Sequence, residues 1–175
     1  LQSATLFDGT LFTLRSNSIT AYGFADGNER TLHQREDGGR FHANVLADRQ
    51  GVYAVSAPPP GHAHERLMAF DPNDGKVTWS VALPSAMRHR DASQYAALGA
   101  GLLVVPAGDQ LIAVEPTRGR RAWAYAVGAE AHFVVVHGPH VFCGDAKGNL
   151  HAVDARTGHG QWQLPTGSEA AFTAD

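Results

Sequence analysis

One phrase returns three times along this chain. It reads Leu-Met-Ala-Phe-Asp-x-x-x-Gly-x-x-x-Trp from Leu67 to Trp79, with close copies from Leu111 to Trp123 and from Leu150 to Trp162. A worn fourth copy, Ile-Thr-Ala-Tyr-Gly-x-x-x-Gly, occupies Ile19 to Gly27. A period of about 40 residues commits a chain to a repeat architecture, in which each unit buries its apolar surface against its neighbours.

Every unit has the same internal order. A short apolar run ends at a turn (Ser3–Leu6, Asn44–Leu46, Tyr95–Leu98, Phe133–Val136), and a second run follows (Leu11–Leu14, Val52–Val55, Leu102–Val105, Val141–Cys143). The Leu-x-Ala-x-Asp stretch is third, and the stretch around the tryptophan is fourth. Runs of three to six residues rich in Val, Leu and aromatics, separated by Gly/Asp/Asn turns, are strands in hairpins. No stretch carries a helical period beside helix caps. The expectation is therefore all-β: about four four-stranded antiparallel blades of a β-propeller. Their bounds fall near 1–37, 38–84, 85–128 and 129–167, with 168–175 starting a further blade of one continuous region. Pro58, Pro59 and Pro60 belong to a connection, since proline cannot donate to a ladder.

The phrase has a mechanical reading. Ala69, Ala113 and Ala152 suit places where sheets approach too closely for a larger side chain. Asp71, Glu115 and Asp154 precede a turn, where a carboxylate accepts backbone N–H groups. Gly75, Gly119 and Gly158 supply the positive φ of that turn. Trp79, Trp123 and Trp162 each offer on the order of 200 Å² of surface to the next blade. The first unit has Gly23 for the acid and Thr31 for the tryptophan, so a weaker joint is expected there.

Ala-x-Asp-x-x-x-Gly-x-x-x-Trp resembles the tryptophan-docking motif of pyrroloquinoline-quinone-like β-propeller repeats, and the resemblance covers nearly the whole chain. It implies a seven- or eight-bladed ring of which about half is present, with the remaining blades in the same or a second chain. The family includes Ca²⁺- and quinone-dependent dehydrogenases. It also includes propellers without chemistry: envelope scaffold lipoproteins and the sensor regions of bacterial Ser/Thr protein kinases.

Composition narrows the choice. The net charge of −3, with 18% charged residues, offers no broad basic face for nucleic acid. No apolar run approaches the ~18 residues of a membrane span, so insertion by this segment is not expected. The quinone enzymes of the family, as the resemblance implies, often carry a vicinal cysteine pair, whereas Cys143 stands alone. It reads as a small core residue. The repeat acids are accounted for by turns. Neither quinone nor Ca²⁺ is expected as a cofactor, and no residue is assigned a catalytic or metal-binding role. Asp71-Pro-Asn73-Asp74-Gly75 departs from the spacing of an EF-hand loop, and His132, His137 and His140 lack zinc spacing.

The expected role is thus a non-catalytic binding or scaffolding module, extracytoplasmic rather than cytoplasmic, with a fragment of a quinoprotein dehydrogenase as the alternative. Composition tilts the context slightly toward the kinase-attached propellers. Loops on a rigid scaffold are where binding usually resides. The candidates for a protein or small-molecule contact are His62, His64, Glu65 and Arg66 in the long second-unit loop, and Arg88, His89 and Arg90 in the third unit.

Overall fold

The computed structural model describes residues 2–58, 64–84 and 96–166. Sixteen strands form four separate four-stranded sheets, each a meander in chain order. The first holds β1 (Ser3–Phe7), β2 (Thr10–Leu14), β3 (Ser18–Gly23) and β4 (Glu29–Gln34). The second holds β5 (Phe41–Asp48), β6 (Gly51–Ser56), β7 (Arg66–Phe70) and β8 (Val77–Ala82). The third holds β9 (Ala97–Gly99), β10 (Leu102–Ala107), β11 (Gln110–Val114) and β12 (Arg121–Ala126). The fourth holds β13 (Ala131–His137), β14 (His140–Asp145), β15 (Asn149–Asp154) and β16 (Gly160–Pro165). All pairings are antiparallel, and no helix occurs among the described residues.

Turn chemistry sets this order. Asp8 and Gly9 both take positive φ, 46° and 69°, which is what a two-residue hairpin needs to match strand twist. Ala100 and Gly101 do the same between β9 and β10, at 52° and 74°. The second sheet begins earlier than the run at Asn44 suggests. Phe41 and His42 pair with Ser56 and Val55, and a bulge with Ala43 at φ 64° then shifts the register before Leu46 meets Tyr53.

The chain packs as two compact units, Leu1–Ala86 with Pro116–Arg120, and Met87–Glu115 with Arg121–Asp175. In the first, Phe12, Leu14, Ile19, Leu32, Phe41 and Phe70 lie in one core. In the second, Val104, Ala113, Trp123, Val141, Cys143 and Val153 lie in another. All six residues of β6 are buried. The contrast is β16, where all six are exposed.

Candidate functional site

The repeat phrase builds a joint. Asp71 N donates to Lys76 O and Gly75 N to Asp71 O, both at 2.9 Å; the Asp71 carboxylate accepts from Asn73 N at 2.7 Å. Asp154 repeats this, taking Arg156 N, Thr157 N and the Thr157 hydroxyl on its carboxylate. The turn then receives an indole. Trp79 Nε1 donates to Pro116 O, and Trp123 Nε1 donates to Ala155 O, each at 2.8 Å and each to the residue just after the acid. A Cβ on Gly119 would stand 2.6 Å from the Trp79 ring, and one on Gly158 would stand 2.6 Å from Trp123. Glycine is needed there twice over, for its φ of 65° and 72° and for the ring lying on it. Ala69, Ala113 and Ala152 pair across the ladder with Trp79, Trp123 and Trp162, and all three alanines are buried.

The first repeat solves the same problem with another residue. Counting along the chain puts Thr31 in the tryptophan column, but the ladder bulge, which follows the repeat alanine in the other sheets, falls two positions earlier here, between Ile19 and Thr20. The residue opposite Ala21 is consequently Arg30. Its guanidinium donates to Pro72 O at 2.9 Å and to Asn73 O at 2.6 Å, so it reaches the carbonyl after the acid as the indoles do. His33 Nδ1 adds a hydrogen bond to Gly75 O at 3.1 Å, and a Cβ on Gly75 would run into the Leu32 carbonyl. Arginine at 30 gave no sign of this in the sequence, because the bulge that aligns it is a property of the ladder.

The fourth sheet holds a sealed polar cluster. Asp145, in the β14–β15 hairpin, accepts from Lys147 N and Asn149 N at 2.9 Å, from Asn149 Nδ2 at 2.8 Å and from His151 Nε2 at 3.0 Å. With Nε2 on the carboxylate, His151 Nδ1 is left to the Tyr125 hydroxyl at 3.2 Å. Burial pulls the Asp145 carboxyl upward, but the bonds from Asn149, His151 and Lys147 outweigh it and hold it at about 2. Burial, with Asp145 nearby, pushes the Cys143 thiol up to about 12. Desolvation, with a contribution from Cys143, also raises Tyr125. An Asp–His–Tyr chain can relay charge in an enzyme. Here His151 and Asp145 are nearly inaccessible and Tyr125 lies over Gly160, so the chain ties β12 to the fourth sheet. The sequence shows the Asp145 turn but not its histidine partner six residues away.

The loop candidates divide. His62, Arg88, His89 and Arg90 lie outside the described residues. His64 and Arg66 are exposed, and the Arg66 guanidinium rests on Ser80 Oγ at 2.6 Å and Ser80 O at 3.2 Å. Glu65 is buried, with Oε1 3.2 Å from His42 Nε2. His132 and His137 sit at the two ends of β13, and His140 Nδ1 meets Gln161 Oε1 at 3.0 Å. Among the described residues, no three His, Cys, Asp or Glu side chains converge as a metal site would require.

A family model described as "Outer membrane protein assembly factor BamB" matches residues 2–132 and again 63–174. The chain belongs to this family of PQQ-like β-propeller repeats. A comparison with curated protein sequences finds no match. Among solved structures it is similar to BamB from Moraxella catarrhalis, at 17% identity and a TM-score of 0.62 over 92% of this chain and 50% of that one. It is also similar to a europium-containing methanol dehydrogenase, at 14% identity and a TM-score of 0.68 over 93% of this chain and 41% of that one. A chain of a mitotic checkpoint complex shares 9% identity with a TM-score of 0.68, covering 90% and 48%. These likenesses establish a β-propeller fold, of which this chain spans about half the length found in each. The propeller chains it resembles include both an enzyme and an assembly factor.

Proposed function

We propose that the chain is a non-catalytic propeller module that binds or scaffolds a protein partner on the outer side of a bacterial inner membrane. One observation carries this. The indole, the glycine and the carbonyl after the acid are spent on seating a ring on a turn, Trp79 on the Pro116–Arg120 turn and Trp123 on the Ala155–Gly158 turn. The repeat phrase is thereby occupied by mechanics. In the remaining Asp–His–Tyr chain Asp145 and His151 are buried, Tyr125 is half-buried, and their hydrogen bonds are made within one unit. Contacts are left to blade-end loops, of which the His64–Arg66 flank is one, with Arg66 exposed and steadied by Ser80. Membership in a family described by outer-membrane assembly favours an envelope scaffold over the kinase-sensor context that composition suggested.

The test pairs two assays on the whole protein. Reconstitution with pyrroloquinoline quinone and Ca²⁺ should give no quinone absorbance after desalting and no oxidation of alcohols or sugars. Turnover that saturates with quinone would overturn the reading. A photo-crosslinking residue at position 66 should yield defined protein adducts in envelope extracts, whereas one at exposed Val77 should not.

A further inference from the structure

We infer that the Asp145–His151–Tyr125 chain and Gly160 form an address, which fits the fourth sheet to the third and turns it away from the other copies of the repeat, in its own chain or in a second one. The address is separate from the partner-binding role proposed above. Repetition creates the need for it. Three repeats carry an acid, a glycine and an indole at one spacing, so ring and turn alone do not tell one sheet from another. Chains of near-identical units are open to misassembly and swapping, and the right contact must be favoured by a difference from the wrong ones.

The difference lies two residues past the indole. Tyr125 stands there opposite Leu111. Val81 and Leu164 hold that place in the second and fourth repeats, opposite Leu67 and Leu150. The first repeat has His33 there, opposite Ile19, and its Nδ1 is engaged with Gly75 O. On the receiving side, Cys143 pairs with His151, and Asp145 follows two residues along β14. The third repeat fills the same register with Val105 opposite Ile112 and with Ala107, all three buried. The second has Ala54 opposite Met68, with Ser56 two residues on. Apolar Ala107 and Ile112 show that the sheet does not need polar groups at this place. The tyrosine and the Asp–His pair each occur once in these columns, and they meet. Tyr125 Oη is 3.2 Å from His151 Nδ1, and His151 Nε2 is 3.0 Å from Asp145 Oδ2.

Shape adds a second condition. Tyr125 lies over Gly160, where a Cβ would stand 2.9 Å from Cε2 and 3.2 Å from the hydroxyl oxygen. Gly160 pairs with Val153; the corresponding residues are Val77, opposite Phe70, and Arg121, opposite Val114. A tyrosine laid on either of those sheets would meet a side chain where Gly160 leaves space. The fourth sheet laid on β8 would instead bring Val81 to His151 and leave Nδ1 buried without a donor. Leaving a buried polar atom unpaired costs more than a typical hydrogen bond gains. The cluster therefore excludes wrong sheets as well as holding the right one. Setting register is also the best-attested use of buried polar groups.

The experiment refolds the whole protein from urea at micromolar concentration, with isotopically labelled tryptophan. Light scattering counts the chains per particle, and NMR counts the indole environments. Wild type should return as one species with one indole N–H signal per tryptophan. Tyr125→Phe removes a single oxygen and strands His151. It should lower the urea midpoint and lose about tenfold in the ratio of correctly to wrongly docked chains, seen as extra indole signals or as paired chains. Adding Asp145→Ala and His151→Ile gives the fourth repeat the residues of the third. That triple variant should recover the urea midpoint and keep the extra species, because stability and address then separate. A clamp that only stabilised would show one species in both variants. A single species in Tyr125→Phe, a single species in the triple variant, or a wild type as mixed as either would overturn the inference.

Discussion

Trp123→Ala is the sharpest probe of the joint. The indole is 8% exposed, its ring covers Gly158, and its Nε1 donates to Ala155 O at 2.8 Å. Removing most of ~200 Å² of buried apolar surface costs about 3–5 kcal/mol, the range for deleting a core aromatic. The stranded carbonyl adds to that unless water reaches it. Trp162 occupies the same position in its repeat but is 41% exposed, with no joint around it. Trp162→Ala should cost under ~1.5 kcal/mol in dilute, monomeric protein. Urea unfolding of both variants, followed by far-ultraviolet circular dichroism, reads the difference directly. Trp123→Phe should fall between, since it keeps a ring on Gly158 and loses only the hydrogen bond and part of the area. Equal destabilisation by Trp123→Ala and Trp162→Ala would refute the docking argument, because identical sequence context would then matter more than what covers the ring.

Three further outcomes follow from the geometry. Arg30→Ala should destabilise the first unit by roughly 1–2 kcal/mol through loss of its bonds to Pro72 O and Asn73 O, while Thr31→Ala stays within about 0.5, measured by urea midpoints. Asp145 has a folded pKa held at about 2, below its ordinary value of 3.8. Its contribution is present above the ordinary value and disappears as pH falls through the folded one. Acid titration of the wild type should therefore show stability lost between about pH 4 and pH 2. Asn149→Ala, which removes a bond favouring the carboxylate, should move that loss to higher pH. Cys143 is buried, with its thiol pushed up to about 12, so a disulfide reagent at pH 8 should label it at least ~100-fold more slowly in folded than in urea-unfolded protein.

How much of this was legible in the chain varies by residue. The meander of four strands per repeat follows from runs and turns that are local, and Asp8-Gly9 or Asp154-to-Gly158 announce their geometry within a few positions. The all-β class and the propeller family were readable for that reason. Arg30 was not, because the shift that sets it opposite Ala21 is a ladder bulge, decided by pairing between β3 and β4. The Asp145–His151–Tyr125 chain was not, because its members come together only when β12 lies against the fourth sheet.

The three tryptophan repeats put the division plainly. The sequence by itself determined that each would end in a glycine turn and an indole, since those depend on φ and on side-chain size at fixed spacing. It made Trp79, Trp123 and Trp162 equivalent. Only the tertiary structure separated them, by laying the Pro116–Arg120 turn on the first and the Ala155–Gly158 turn on the second while leaving β16 open. Burial is a property of what lies across from a side chain, and a repeat carries no record of its neighbour.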